Sequence, residues 1–137
     1  TGYVEARIFF PGTGWATGTD GCYNWPAFWT NGHRWPTEGE NDIAEVLGGK
    51  MTVNYHSGSG AHNQGVVPGA WCGSYHTFGL HRMASSSDVY YDGVKVKSYP
   101  TDDGNAPQYI ILNVGRSGTA VTGDDSAVKV DYVRAWK

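Results

Sequence analysis

The chain has 137 residues and a formal net charge of −3, from 13 acidic and 10 basic residues. A domain of this length buries roughly two-thirds of the surface that its unfolded chain exposes, so we expect one domain over residues 1–137. The Lys and Arg residues are not clustered as phosphate binding requires, which excludes nucleic acid and favours an uncharged partner. No apolar run approaches the ~18 residues that cross a membrane, and no membrane partner is expected.

Short apolar runs and period-two alternation, interrupted by Gly, Pro, Asn or Asp, predict an all-β chain. Nine Tyr, six Trp and four Phe indicate a core of large, flat side chains. Nine short strands are typical of a β-sandwich. In chain order, the predicted strands are Gly2–Phe9, Asn24–Thr30, Glu40–Leu47, Met51–His56, Tyr75–Arg82, Asp88–Tyr91, Val94–Ser98, Gln108–Val114 and Ala127–Trp136.

The clearest hairpin is centred on Asp92-Gly93, between two alternating β-forming runs. Asp-Gly adopts the positive φ angles that a type I′ turn requires. The last strand alternates apolar and polar residues, so we expect one of its faces to pack on the protein. Long connections rich in Gly, Thr and Ser often bind ligands. Three such connections lie at about residues 11–23, 56–74 and 99–106.

The two cysteines, Cys22 and Cys72, form no C-x-x-C pair and show no metal-ligand spacing. The sequence is compatible with a Cys22–Cys72 disulfide and with two separate thiols. We favour the separate thiols, because a disulfide needs a short Cα separation that the sequence does not supply.

Three acidic residues, Glu40, Asp42 and Glu45, lie within six residues of one predicted strand. Glu40 and Asp42 share a face, but Glu45 would face the other way on a regular strand. A β-bulge at Ile43-Ala44 absorbs one residue and returns Glu45 to the shared face, and bulges are enriched beside active sites. We therefore predict this bulge.

With the bulge, the Cα atoms of Glu40 and Glu45 lie on the order of 13 Å apart, at ~3.3 Å per residue. Two Glu side chains that lean together bring their carboxyl groups near the ~5–5.5 Å of double-displacement glycoside hydrolysis. Three like charges raise at least one pKa, so that one carboxyl stays a protonated acid while another stays ionised. Taken alone, however, three acidic residues within six positions are more typical of a solvated acidic stretch than of a catalytic site.

Three Trp residues precede these acids, and indoles stack on sugar rings. Trp25 and Trp29 share a parity and therefore a face, while at least one of Trp25, Trp29 and Trp35 is expected in the core, with Phe28. His56 is predicted on the adjacent strand, where a contact with an acid and a structural role are equally open. The other His residues lack metal spacing, so we expect no zinc site. The serine-hydrolase, P-loop and dinucleotide motifs are absent.

The stretch 24–45, which contains NWPAFW and WPTEGENDIAE, resembles glycoside hydrolase family 16. It is most similar to the laminarinase-like branch, whose motif is E-x-D-x-x-E. With five more collinear matches, the catalytic interpretation outweighs the solvated acidic stretch. These matches are Gly2–Ile8, His76–Leu80, Val89–Gly93, Tyr109–Asn113 and Val130–Arg134.

The resemblance implies a concanavalin A-like jelly roll, a sandwich of two curved antiparallel sheets. It implies a secreted enzyme that cleaves internal bonds of β-1,3 or mixed β-1,3/1,4 glucan with retention of configuration. Glu40 would be the nucleophile, Asp42 its hydrogen-bonded assistant and Glu45 the general acid/base. No cofactor would be needed for catalysis, although Asp131 would hold a structural cation such as calcium. The implied sugar-binding residues are Asn24, Trp25, Trp29, Trp35, His56 and Asn113.

Two features depart from the family pattern. Asn41 stands where the motif usually has an aliphatic residue; it points away from the cleft and needs a hydrogen-bond partner if buried. The family domain is also usually longer, so we expect a part of it before Thr1 to be missing and an open sheet edge that this segment or a second chain covers. The alternatives to an enzyme are a non-catalytic β-glucan-binding jelly-roll module and an inactive fragment.

Overall fold

The computed structural model describes residues 1–13, 21–116, 118, 120–122 and 127–137. These residues form ten strands and no helix that could span a membrane. The strands are β1 (Gly2–Phe9), β2 (Trp25–Gly32), β3 (Glu40–Leu47), β4 (Lys50–Ser57), β5 (Gly60–Val66), β6 (Tyr75–Arg82), β7 (Ser86–Tyr91), β8 (Val94–Pro100), β9 (Gln108–Gly115) and β10 (Lys129–Trp136).

The strands form two five-stranded antiparallel sheets. The first sheet has the order β10-β1-β6-β7-β8, and the second has the order β5-β4-β3-β2-β9. Alternate residues of each sheet face the other sheet, as Val4, Ala6 and Ile8 do on β1. Sheet-on-sheet packing of this kind hides one face of each strand and leaves the other accessible. The predicted all-β sandwich is confirmed.

Large aromatic side chains fill the space between the sheets. Phe78 and Tyr91 are fully buried, and their rings meet edge-to-face at 4.7 Å between centroids. Phe28 is also fully buried, as predicted. The predicted hairpin is confirmed as well, because Asp92 and Gly93 have φ angles of 48° and 79°, both in the left-handed region that a type I′ turn needs.

One strand was not predicted. β5 lies inside the expected loop 56–74, so the prediction of a continuous loop there is wrong. None of its residues is buried, and its sequence, Gly60–Val66, is mostly polar with a glycine near its end. Without a buried face there is no period-two signal, and only pairing with β4 identifies the strand. Part of the expected loop 11–23 lies outside the described residues.

Cys22 and Cys72 form a disulfide, so the preference for separate thiols is wrong. Their Cα atoms lie 5.5 Å apart, inside the range that a disulfide allows, although 50 residues separate them in the chain. Both cysteines are buried. The pairing depends on the packing of segments that are distant in sequence, which the spacing of two cysteines does not reveal.

The strands β9 and β10 lie at sheet edges and are largely exposed. No residue of β10 is buried, so the expected packing of one face of this strand on the protein is not found in the described residues. The exposed apolar side chains include Ile110 and Val114 on β9 and Val133 and Trp136 on β10. A cavity of about 370 Å³ opens between the sheets at this end and is lined by residues of both strands.

Candidate active site

β3 contains the predicted bulge. Its register with β4 passes from Asp42–Asn54 to Glu45–Thr52, so two residues of β3 stand opposite one residue of β4. The extra residue reverses the parity of the following side chains, and Glu45 returns to the side that carries Asp42. The structure confirms the bulge at 43–44.

The bulge is anchored from inside the sandwich. Ile43 and Ala44 are fully buried, and the hydroxyl of Tyr91 in the first sheet donates a hydrogen bond of 2.9 Å to the Ile43 carbonyl. A bulge disrupts the local ladder and leaves a residue without its regular strand partner. The Tyr91 hydroxyl therefore supplies a partner across the core and connects the packing of the first sheet to the shape of β3.

Both oxygens of the Glu45 carboxyl group accept hydrogen bonds. Trp25 Nε1 donates to Oε1 at 2.8 Å, and Asn54 Nδ2 donates to Oε2 at 2.7 Å. Trp25 and Asn54 come from the two strands that flank β3, so the carboxyl group is fixed from both sides. These contacts hold Glu45 on the outer face of the second sheet.

Glu40 and Asp42 meet His56 on the same face. Glu40 is the register partner of His56, whose Nε2 lies 3.9 Å from Glu40 Oε1 and 3.4 Å from Asp42 Oδ2. His56 and Asn54 are two residues apart on β4 and point to one side, so the groups around Glu40 and those around Glu45 share a surface. The predicted position of His56 on the strand adjacent to the acids is confirmed, and of the two open alternatives the structure shows the contact with the acids.

Asp42 is only 4% exposed. Burial, and then the charges of Glu45 and Glu40, raise the pKa of Asp42 to about 9. The short distance to His56 would suit an ion pair, but an ion pair requires an ionised Asp42. Burial and the two neighbouring acids instead favour the neutral acid at neutral pH. A neutral Asp42 keeps a proton beside Glu40, one of the two acids whose charge favours this form.

The Trp residues partly follow prediction. Trp25 and Trp29 lie on the outer face of the second sheet, and Trp29 Nε1 donates a hydrogen bond of 2.8 Å to Asn113 Oδ1 on β9. Trp25 is 39% exposed, Trp35 is 60% exposed and Trp29 is half-buried. The expectation that one of the three belongs to the core is therefore wrong, because the bulky residue that faces inward from β2 is Phe28.

Asn24 and Trp35 flank β2 at its two ends. Asn24 directly precedes the strand with a φ of 61°, and its backbone N–H donates to Val121 O at 2.7 Å. Trp35 lies in the turn between β2 and β3. Their sugar contacts stay predictions.

Two residues that support the site were not predicted. Asn54 holds the Glu45 side chain, and Thr52 Oγ1 donates a hydrogen bond of 2.9 Å to the Glu45 carbonyl. Both share the parity of His56 on β4 and therefore its face. The signal was present in the sequence, since placing His56 beside the acids also places every second residue of that strand there.

Asn41 points into the protein, as expected, and its amide group is satisfied. Its Nδ2 donates to Gln108 Oε1 at 3.0 Å, and its Oδ1 accepts a hydrogen bond from the Tyr99 hydroxyl at 3.0 Å. Gln108 Nε2 in turn donates to the Glu38 carbonyl at 2.8 Å. The predicted need for partners is confirmed, and the network ties β3 to β9 and β8.

Asp131 does not fit the implied cation. Its Oδ2 accepts a hydrogen bond of 2.7 Å from the Arg7 guanidinium, which already neutralises the carboxylate. In the part of the chain that the structure describes, Asp131 belongs to no group of side chains with metal-ligand spacing. No catalytic step is derived through a cation here.

Sequence comparison links the chain to known glycosidases. Residues 16–77 match the model of the XgeA-like catalytic domain of glycoside hydrolase family 16. A probable glycosidase of Schizosaccharomyces pombe is 44% identical over 48 residues, which make up 34% of this chain and 12% of that protein.

Solved structures share the fold over almost the whole chain. SCLam, described as a non-specific endo-β-1,3(4)-glucanase from family 16, has a TM-score of 0.77 at 26% identity, covering 98% of this chain and 57% of that one. A second structure is a family 16 protein from Bacteroides ovatus, described as a mixed linkage glucan protein in complex with a G4G4G3G product. It has a TM-score of 0.72 at 25% identity, and the match covers 98% of this chain and 69% of that one. This chain thus spans just over half the length of SCLam. The sequence match over residues 16–77 and the shared fold make the chain similar to members of glycoside hydrolase family 16.

Proposed function

We propose that this protein is a secreted, endo-acting, retaining glycoside hydrolase of β-1,3 or mixed β-1,3/1,4 glucan. The observation that carries the proposal is the bulge of β3, which brings Glu45 to the face of Glu40 and Asp42. A retaining enzyme needs two carboxyl groups on one surface with the scissile bond between them. Without the bulge, Glu45 would point into the core.

The proposed mechanism uses the two outer acids in turn. Glu40 attacks the anomeric carbon and forms an ester, while Glu45 protonates the leaving oxygen as the glycosidic bond breaks. Glu45 then takes a proton from water, whose oxygen attacks the same carbon and releases Glu40. Two inversions give net retention. The neutral Asp42 donates a hydrogen bond to Glu40 and so orients it before the attack.

The surface around the acids suits an uncharged polysaccharide. The indoles of Trp25 and Trp29 lie beside the carboxyl groups on the same outer face, and Trp35 is exposed at the next turn. Aromatic faces pack against the apolar faces of sugar rings, whereas amides such as Asn113 form hydrogen bonds with hydroxyl groups. The two named structural relatives are a glucanase and a protein with a glucan product, which supports this choice of substrate.

The disulfide supports the proposed secretion. Disulfides persist in oxidising environments and are rare in the reducing cytosol. The buried Cys22–Cys72 pair therefore favours an exported protein.

The proposal is tested with laminarin and lichenan. We expect the wild type to release reducing ends from at least one of them, and Glu40→Gln, which keeps the size of the side chain, to lose almost all of this rate. Glu5→Gln on β1 of the first sheet is the matched control and should keep it. Proton NMR of the first product should show the β-anomer. Equal rates in wild type and Glu40→Gln, or the α-anomer, would contradict the assignment.

A second candidate is a non-catalytic β-glucan-binding module. The exposure of β9 and β10 favours this candidate. Their exposed apolar side chains indicate that an active enzyme would need another segment or a second chain to cover this edge. The binding surface on the second sheet would work without that cover. Titration calorimetry that detects glucan binding, with no reducing ends after long incubation, would support the module over the enzyme.

A further inference from the structure

Three side chains of the candidate active site have donor atoms at the spacing of metal ligands. Glu40, Asp42 and His56 each contribute one such atom, and these atoms lie within 4.8 Å of one another. Within the described ranges, which leave out 14–20, 117, 119 and 123–126, no other group of His, Cys, Asp and Glu meets this condition. The trio combines one imidazole and two carboxyl groups, which zinc accepts as ligands in proteins once they are deprotonated, so binding of the ion would release the proton of Asp42.

One distance within the trio already matches tetrahedral coordination. Bonds of about 2.0–2.2 Å place neighbouring ligand atoms of a tetrahedral zinc ion about 3.3–3.6 Å apart. His56 Nε2 lies 3.4 Å from Asp42 Oδ2, inside this range, and 3.9 Å from Glu40 Oε1. A small rotation of the Glu40 side chain, which is longer than that of Asp42, closes the remaining difference.

A second observation points to a ligand at the same place. Asp42 is 4% exposed, and its Oδ2 is buried without a hydrogen-bond partner. A buried polar atom normally has a partner, and an exception calls for a specific explanation. This oxygen is the atom that faces His56 Nε2, so the unsatisfied acceptor is directed at the centre of the trio.

The outer side of the trio is accessible. The side chain of His56 is 28% exposed and that of Glu40 is 17% exposed, so an ion can enter from solvent. Three protein ligands leave the fourth position of a tetrahedral zinc ion for water. The third acid of the site, Glu45, is fixed by Trp25 and Asn54 and is not needed as a ligand.

We propose that Glu40, Asp42 and His56 form a binding site for Zn²⁺ and that the bound ion inhibits the hydrolase. The ion occupies the carboxylate that would attack the anomeric carbon, so substrate cleavage stops until the ion leaves. Metal binding is independent of the proposed function, whereas inhibition rests on it.

The binding is measured by titration calorimetry with zinc chloride on untagged protein. We expect one ion per chain for the wild type. His56→Ala should lose at least about tenfold in affinity, since loss of even an outer-shell partner of a metal ligand costs 10–100-fold. Glu40→Gln should also bind more weakly. His62→Ala is the matched control, an exposed histidine on β5, and should bind as the wild type does.

Two further measurements distinguish an unfolded variant from a folded variant that has lost the zinc site. Thermal melts without metal show whether each variant is folded, and the imidazole NMR signals of His56 should shift with zinc while those of His62 should not. A wild type that binds no zinc, or folded His56→Ala and Glu40→Gln variants that bind it unchanged, would overturn the site. Zinc should abolish glucan hydrolysis and EDTA should restore it. An unchanged rate at saturating zinc would overturn the inhibition, and absence of hydrolysis without zinc would overturn the proposed function alone.

Discussion

The Tyr91 hydroxyl and the Ile43 carbonyl are joined by a hydrogen bond of 2.9 Å that crosses the core from the first sheet to the bulge of the second. Tyr91 lies in the core, where its ring packs against Phe78 and Trp71. It nevertheless fixes the backbone segment that turns Glu45 toward Glu40. The position of Glu45, the proposed acid/base residue, therefore depends on a residue of the opposite sheet.

Tyr91→Phe should lower both stability and turnover. The substitution keeps the ring but leaves a buried carbonyl without its partner, which costs about 1–3 kcal/mol. We expect a lower melting temperature and a lower kcat with little change in KM, because the bulge loses its anchor while the sugar-binding surface stays. Tyr90→Phe, which removes a weak hydrogen bond of 3.5 Å to Asp88, is the control. If both variants behaved alike, the anchoring role of Tyr91 would be refuted.

Trp25→Phe should reduce glucan hydrolysis by about tenfold. The change keeps an aromatic surface for the sugar but removes the N–H that holds Glu45 Oε1, and the loss of a hydrogen bond costs up to about 1.5 kcal/mol, which is about a factor of ten in rate. Initial rates on lichenan measure the effect. Trp29→Phe is the comparison, because its N–H binds Asn113 and not an acid. A larger loss of kcat for Trp29→Phe than for Trp25→Phe would argue against this role of the indole.

Asp42 should make the protein less stable as the pH rises. Its pKa in the folded state is raised from 3.8 to about 9, so the folded chain retains a proton that the unfolded chain has lost. The stabilising contribution is complete below pH 3.8 and declines as the pH approaches 9. Asp42→Asn removes this proton equilibrium.

Urea unfolding at a series of pH values tests this expectation. The free energy of unfolding of Asp42→Asn, relative to that of the wild type, should increase between pH 5 and pH 8. This window lies between the pKa of Asp42 in the unfolded chain, 3.8, and its pKa in the folded chain, about 9. A constant difference over this window would show that Asp42 is already ionised in the folded protein.

Removal of the disulfide should destabilise the protein strongly. Closing a loop of 50 residues reduces the entropy of the unfolded chain by an amount worth about 4 kcal/mol. The double variant Cys22→Ser/Cys72→Ser should therefore melt at a clearly lower temperature than the wild type. Reduced wild-type protein should match the double variant, whereas a reductant should not change the melting of the variant itself. Equal melting of oxidised and reduced wild type would contradict this contribution.

Much of the candidate site could be predicted because it depends on strand parity. The odd spacing of Glu45 relative to Glu40 and Asp42 required a bulge, and the structure contains one at that point. The same counting placed Trp25 and Trp29 on one face and predicted that Asn41 would face inward. Parity is a local property of the chain, so a sequence is sufficient to read it.

The features that were missed depend on contacts between distant segments. The Cys22–Cys72 bond requires two loops to meet, and β5 is defined only by its hydrogen bonds to β4. The alternating pattern of β10 suggests a packed face, yet burial depends on whether another element lies over it. The proposed zinc site also depends on a contact between two different strands. His56 comes from a different strand than the two acids, and no spacing rule within one segment describes such a set.

Asn41 also has a consequence for how the strands find their partners. A shift of β3 by one residue would move every side chain to the opposite face, so Asn41 would leave Tyr99 and Gln108 while the carboxyl groups of Glu40 and Asp42 entered the core. That arrangement would bury acids without partners and remove the hydrogen bond between Asn41 and the hydroxyl of the buried Tyr99, which is costly. The amide of Asn41 thus favours the register that places the acids on the outer face of the second sheet.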